Sequence, residues 1–230
     1  MKIGIDPGHG GGDAGAVGAN GNLEKDINLA IAQRVQYLLL RQGMEVVMTR
    51  SDDSSKSLAA RTNLLNSTKV DYVVSIHCNS SADPAPNYIS TYIQGIGGEA
   101  ERLAEKVQAR LVQTTGWPNG GVRVQNLHMT RETLMPAILC ECGFISNPLQ
   151  EIVLADSESQ SRIARAIADG INDFLNQGGG SSVAEQWQFD IIDNAMQEGL
   201  ITSDHNPYDY APKWFVLQVA LNLLNLIKKD

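Results

Sequence analysis

Three side chains in the N-terminal part of the sequence have the types that hold a transition metal: His9, Glu24 and His77. Two imidazoles and one carboxylate form a known catalytic zinc set, leaving a fourth position for water or substrate. Each residue alone has a plainer account. Glu24 by itself would be a helix N-terminal charge favoured by the dipole, and His77 by itself a structural histidine. The case for joining them is positional. His9 follows an expected first strand (residues 2–6), Glu24 opens the first helix, and His77 closes an expected strand over 70–78. In an open α/β sheet the C-terminal strand ends share one rim, where ligands gather.

The loop around His9 also carries a decoy. Gly10-x-Gly12-x-x-Gly15 matches a dinucleotide fingerprint. That fingerprint needs a helix starting at its glycines and an acidic residue about 20 positions further on. Here the chain continues Ala16-Val17-Gly18-Ala19-Asn20-Gly21-Asn22, which is loop, so nucleotide binding is set aside. Charge excludes a second class. With 18 Lys+Arg against 26 Asp+Glu the net charge is -8, and no basic patch suggests nucleic acid as a partner. The three cysteines are too few and too odd for a disulfide framework. Cys140 and Cys142 flank Glu141, so in a strand both face away from it, as buried thiols toward the core.

The elements that must position these residues read as an α/β fold: a mostly parallel central sheet flanked by helices on both faces, with a small all-α C-terminal unit. Strands are expected over 2–6, 45–49, 70–78, 88–93 and 135–144. The 70–78 run is β-branched and apolar, as a central strand should be. Helices are expected over 24–42, with Ile27, Ile31, Val35, Leu38 and Leu39 as its buried stripe, through 58–65, and over 97–112 and 159–175. Residues 1–176 then form one domain, and the Gly/Ser tract 177–182 a linker. Residues 183–230 read as two helices; their three basic and seven acidic residues carry a local charge of 3 − 7 = −4. The second, starting near Pro212, is apolar on nearly every side. Two helices this short bury too little surface to stand alone, so they should pack on the first domain, a second copy of the chain or a target surface. The run around 217–227 is interrupted by Gln218, Asn222 and Asn225, and no membrane span is expected. Asp6 breaks any apolar leader, so synthesis without a signal peptide, in the cytoplasm, is expected.

Four blocks resemble a known family, the zinc-dependent type-3 N-acetylmuramoyl-L-alanine amidases of bacterial autolysins and phage endolysins. They are Asp6-Pro7-Gly8-His9-Gly10-Gly11 with Asp13-x-Gly15-Ala16; Glu24 ahead of its helix; Ser75-Ile76-His77-Cys78-Asn79; and Pro136 through Asn147, with Glu141 at its centre. Thr49-Arg50 and Leu58-x-x-Arg61 match more weakly. The order and spacing cover about residues 1–176. The resemblance implies zinc held by His9, Glu24 and His77, a catalytic Glu141, and peptidoglycan as the substrate, reached after release from the cytoplasm.

The chemistry of amide cleavage agrees. It needs an activated water, a polarised carbonyl and a protonated leaving nitrogen; zinc supplies the first two, and a nearby carboxylate moves the proton. Glu141 suits that task, ending a central strand and facing away from the cysteines. Asn79, two beyond His77, could face the same rim and contact substrate. Arg123 and Arg131 could hold a peptide carboxylate, or be solvated surface residues. His128 is read as a loop residue or a group behind the site, and His205 as exposed and inert. The C-terminal unit loosely resembles short helical wall-binding repeats; self-association through its apolar helix is the alternative. A rival reading of the whole chain is a peptidoglycan-binding protein without catalysis.

Overall fold

A computed structural model of the chain describes residues 1–176. The expected linker at 177–182, the two helices expected after it and His205 lie outside the described residues. Within them the chain runs β1 (Lys2–Pro7), α1 (Glu24–Arg41), β2 (Glu45–Met48), α2 (Leu58–Thr68), β3 (Tyr72–Asn79), β4 (Ile89–Ile93), α3 (Glu99–Thr115), β5 (Asn119–Val124), α4 (His128–Arg131), β6 (Ala137–Phe144), α5 (Pro148–Ala155) and α6 (Ser157–Leu175).

Six strands form one sheet in the order β2-β1-β3-β6-β4-β5. The first four run parallel. β4 lies antiparallel to β6, and β5 follows β4 in parallel. β3 and β6 are therefore central, and their side chains explain why. Val73, Val74, Ile76, Ile138 and Cys140 are wholly buried, as strands covered on both faces require.

Side chains alternate across this sheet. On one face Leu65 of α2 and Met129 of α4 pack with Val70, Val73 and Ala137. Over the other, α1 and α3 lie against the strands and α6 packs across both. Gln108 of α3 marks that second face, accepting from Thr91 Oγ1 at 2.8 Å. Caps fix several helix ends. Ser57 accepts from Ala60 N at 3.2 Å, Asp156 from Ser159 N at 2.8 Å, and Gly116 closes α3 in the left-handed region (φ 68°).

A polar layer lies within the first face, one step along the strands from the apolar cluster. Asp6 accepts from Arg61 Nη1 (2.9 Å), Thr49 Oγ1 (2.5 Å) and Ser75 Oγ (2.7 Å). All four residues are buried. Burial alone would raise the Asp6 carboxyl. Arg61 and the two hydroxyls outweigh it and hold it below the usual carboxylate range. One further step along the strands lies the rim.

Candidate active site

The rim gathers His9, Glu24 and His77. Glu24 Oε2 stands 3.2 Å from His9 Nε2, and its Oε1 stands 3.0 Å from His77 Nδ1. One donor atom from each of the three lies within 4.8 Å of the others. Tetrahedral ligands at metal distances of about 2.0–2.2 Å stand roughly 3.4 Å apart, so the trio fits a zinc-sized cation. The other ring nitrogen of His9, Nδ1, meets Asp13 Oδ2 at 2.9 Å. A carboxylate behind a ligating imidazole fixes its tautomer and orientation.

Electrostatics match that donor set. The hydrogen bond to Glu24 raises His9 to about 9 against partial burial. His77 is also raised, the Glu24 hydrogen bond and the Glu141 charge outweighing burial. Burial would raise Glu24 as well, but the two imidazoles hold it well below the carboxylate range. A cation entering here displaces the imidazole protons, so its affinity falls as pH drops.

The loop after β1 is shaped for this meeting. His9 itself adopts φ 62°, a left-handed conformation costing a non-glycine residue about 1–3 kcal/mol and concentrated at functional sites. Gly8 must be glycine, because a Cβ there would lie 2.1 Å from His77 Cε1. At Gly15 (φ 66°) a Cβ would lie 2.6 Å from Glu24 Oε2 and 2.7 Å from His9 Cδ2. Of the glycines that mimic a nucleotide loop, Gly15 thus serves close packing around His9 and Glu24, while a Cβ at Gly10 would meet Ser54 O (2.6 Å) and Arg50. Two buried arginines hold the loop's backbone. Arg50 donates to Pro7 O (3.0 Å) and Gly8 O (2.9 Å), and Arg61 to Pro7 O and His9 O.

Glu141 joins the trio by register: His77 on β3 pairs with Glu141 on β6. The two side chains therefore share a face, and Cys140 and Cys142 are buried on the other. Burial pushes the Cys140 thiol up to about 12 and those of Cys78 and Cys142 well above the ordinary thiol value, which suits inert packing groups. One Glu141 oxygen, Oε2, is buried with no hydrogen-bond partner among the described residues. Burial, helped by the Glu24 charge, raises Glu141 to about 7 while His77 and His9 pull the other way. A carboxyl near neutrality can both take and return a proton. Glu141 is not the end of its strand: β6 runs on to Phe144 across a register shift in which β3 advances two residues and β6 three.

The remaining candidates are placed differently. Asn79 closes β3, two residues beyond His77, and its Oδ1 accepts from Ser80 N at 2.8 Å. Arg123, on edge strand β5, stacks over Tyr88 (4.7 Å to the ring centroid) and donates to Gly120 O. Arg131 pairs with Glu132 (2.6 Å) and Asn126 (2.8 Å). Neither arginine makes a hydrogen bond or ion pair with the trio or Glu141 among the described residues. His128 opens the short helix α4, and its Nε2 is buried without a partner there. Asp13, Arg50 and Arg61 went without assigned roles in the sequence, though all sit in matched motifs.

A parallel-centred α/β sheet with a His-Glu-His trio and a raised glutamate on its rim defines a class: an α/β domain with a candidate metal centre at the ends of its central strands. The N-acetylmuramoyl-L-alanine amidase family profile matches residues 3–173, and the chain belongs to that family. It is 38% identical over 168 residues to the N-acetylmuramoyl-L-alanine amidase LytC of Bacillus subtilis, covering 72% of this chain and 34% of that protein. It is 36% identical over 174 residues to the amidase CwlM of Bacillus licheniformis, covering 74% and 67%. The fold superimposes, at a TM-score of 0.73 and 41% identity, on the catalytic domain of the amidase CwlV from Bacillus (Paenibacillus) polymyxa var. colistinus. That match covers 76% of this chain and 98% of the other. The chain thus spans about a third of LytC and two thirds of CwlM. No helix among the described residues is long and apolar enough to cross a membrane.

Proposed function

We propose that this chain hydrolyses the amide between N-acetylmuramic acid and L-alanine of peptidoglycan stem peptides, with zinc held by His9, Glu24 and His77. The observation that carries the reading is Glu141, raised toward neutrality and in register with His77, inside a block matched by the amidase family. Zinc bound there would lower the pKa of a water and polarise the scissile carbonyl. The chain's own residues do the rest. Glu141 takes a proton from the attacking water as its oxygen bonds to the carbonyl carbon. It returns that proton to the amide nitrogen as the C–N bond breaks, and the water's second proton passes from the new carboxyl to the amine, leaving a lactyl carboxylate and an alanine ammonium group. Asp13 fixes the His9 ring, and Arg50 and Arg61 fix the loop beneath it. Asn79, at the end of β3, and the Arg123–Tyr88 pair on the β4–β5 side supply polar groups for the peptide. On its sequence alone, the segment after residue 182 adds wall binding or pairing of copies through its apolar run after Pro212. The chain acts on the wall after release from the cell that makes it.

Mass spectrometry of purified walls after incubation tests the activity. New L-alanine amino termini are expected with zinc and none after EDTA, with re-added zinc restoring them. Unchanged muropeptides from the zinc-loaded protein would leave a wall-binding protein without catalysis as the better account. Asp13→Ala should weaken zinc about 10–100-fold, the usual effect of losing a carboxylate behind a ligating histidine. Competition with a chelating dye reads this directly; an unchanged affinity would remove Asp13 from the metal centre.

A further inference from the structure

Glu151 is a wholly buried carboxylate that the chemistry above does not use, and it lies on α5, outside the trio and Glu141. Four N–H donors converge on it from a single loop. Asn20 N meets both oxygens (2.9 and 3.0 Å), Asn20 Nδ2 meets Oε2 (3.0 Å), and Asn22 N (3.3 Å) and Nδ2 (2.9 Å) meet Oε1. Burial would raise this carboxyl, but the donors outweigh it and hold it below the usual range. Only an ionised carboxylate accepts from all four; an amide would set an NH2 against N–H donors. Gly18 lets the loop come this close, since a Cβ there would lie 2.2 Å from the carboxyl carbon of Glu151.

That loop ends at Glu24. It is closed on itself by Gly18 N to Asn22 O (2.9 Å) and by a bridge between Val17 and Leu23. Leu23, at the N-cap of α1, offers no capping side chain. The loop caps the helix instead: Ala16 O accepts from Glu24 N (3.0 Å) and Ala14 O from Lys25 N (3.1 Å). Ala16 N in turn donates to Glu24 Oε2 at 2.9 Å, the oxygen that faces His9. α5 follows directly from β6, the strand of Glu141. The hydrogen bonds of Glu151 thus span 129 and 131 residues and join the two halves of the rim.

We propose that Glu151 is a positioning residue for Glu24, a buried carboxylate staple that sets the angle at which Glu24 meets its metal. The proposal rests on the zinc reading of the trio. Titration of zinc into the EDTA-treated full chain, by calorimetry, compares wild type with Glu151→Gln. The variant should bind zinc about 10–100-fold more weakly, and its wall hydrolysis should recover the wild-type kcat once zinc is saturating. Wild-type zinc affinity in Glu151→Gln, even with a lowered Tm in EDTA, would overturn the proposal, because a merely structural role moves stability alone. If that variant fails to melt cooperatively, Asn20→Ala/Asn22→Ala decides: weakened zinc binding supports the staple, and wild-type affinity overturns it. A wild-type chain that takes up no zinc would sink the zinc reading together with this proposal, whereas wild-type zinc binding that Glu151→Gln leaves unchanged sinks the staple alone.

Discussion

Glu141→Gln should lose a factor of about 10²–10⁴ in kcat, the usual contribution of a positioned acid–base group, with zinc affinity unchanged. Glutamine keeps the size and a hydrogen-bonding head, so the β3–β6 register and the buried cysteines on the far face have no reason to move. What it removes is a proton carrier. Burial holds Glu141 at about 7 with the metal absent, and a zinc charge beside it would favour the ionised form that takes the first proton. The wild-type rate should therefore need the ionised form for proton abstraction and fall as pH drops, at a pH below about 7. Rates on a soluble muropeptide, with zinc content measured in parallel, check this. A variant that is full in zinc and lyses walls at the wild-type rate would end the proton-transfer role. One that has lost its zinc would make Glu141 a ligand instead.

The second large effect is on stability. Asp6→Asn should cost about 3–5 kcal/mol, because it leaves the Arg61 guanidinium buried without its counter-charge. Both partners are nearly inaccessible, at 1% and 3%, so solvent cannot take over. A domain typically holds about 5–15 kcal/mol, and the loss is a large share of that. The sign with pH follows from the same layer. The folded Asp6 carboxyl lies below its unfolded value, so its contribution is fully present above that unfolded value, about 3.9. It is lost as pH falls through the folded pKa, and the variant's stability should be flatter in that acid range. Urea unfolding at pH 7 and across the acid range measures both. Adding Arg61→Met to Asp6→Asn should recover part of the loss, since it removes the stranded charge. An Asp6→Asn chain as stable as wild type would mean that the layer beneath the rim is not what holds it.

Much of this site is visible in the sequence because its parts obey local rules. His77 and Glu141 each lie in an apolar run that reads as a central strand, and the spacing of Cys140 and Cys142 tells which way Glu141 points. Glu24 opens a helix with a clear apolar stripe. The residues that hold these groups in place are harder to read, since their partners are backbone atoms far along the chain. Arg50 and Arg61 serve carbonyls 42 to 54 residues away, and neither periodicity nor composition records such a bond. The missed elements have local causes as well. β5 opens Asn119-Gly120-Gly121, a weak strand signal tolerated on an edge. α4 is a single turn. α5 spans eight residues, too few for a helical period to stand out, although its start is marked by Asn147, which accepts from Leu149 and Gln150 N, and by Pro148.

The insertion of β6 between β3 and β4 has a consequence in time. β3 is followed by β4, α3, β5 and α4 before its central neighbour β6 appears. A chain leaving the ribosome therefore exposes His9, Glu24 and His77 well before Glu141 exists to pair with them. Such long-range parallel pairing is slow to close. Until it does, His9, Glu24 and His77 lack both Glu141 and the α5 carboxylate bonded to the loop before Glu24. On the proposed assignment, the last central strand completes the site, and a chain that stops short of it carries the three donors without the group that would move the proton.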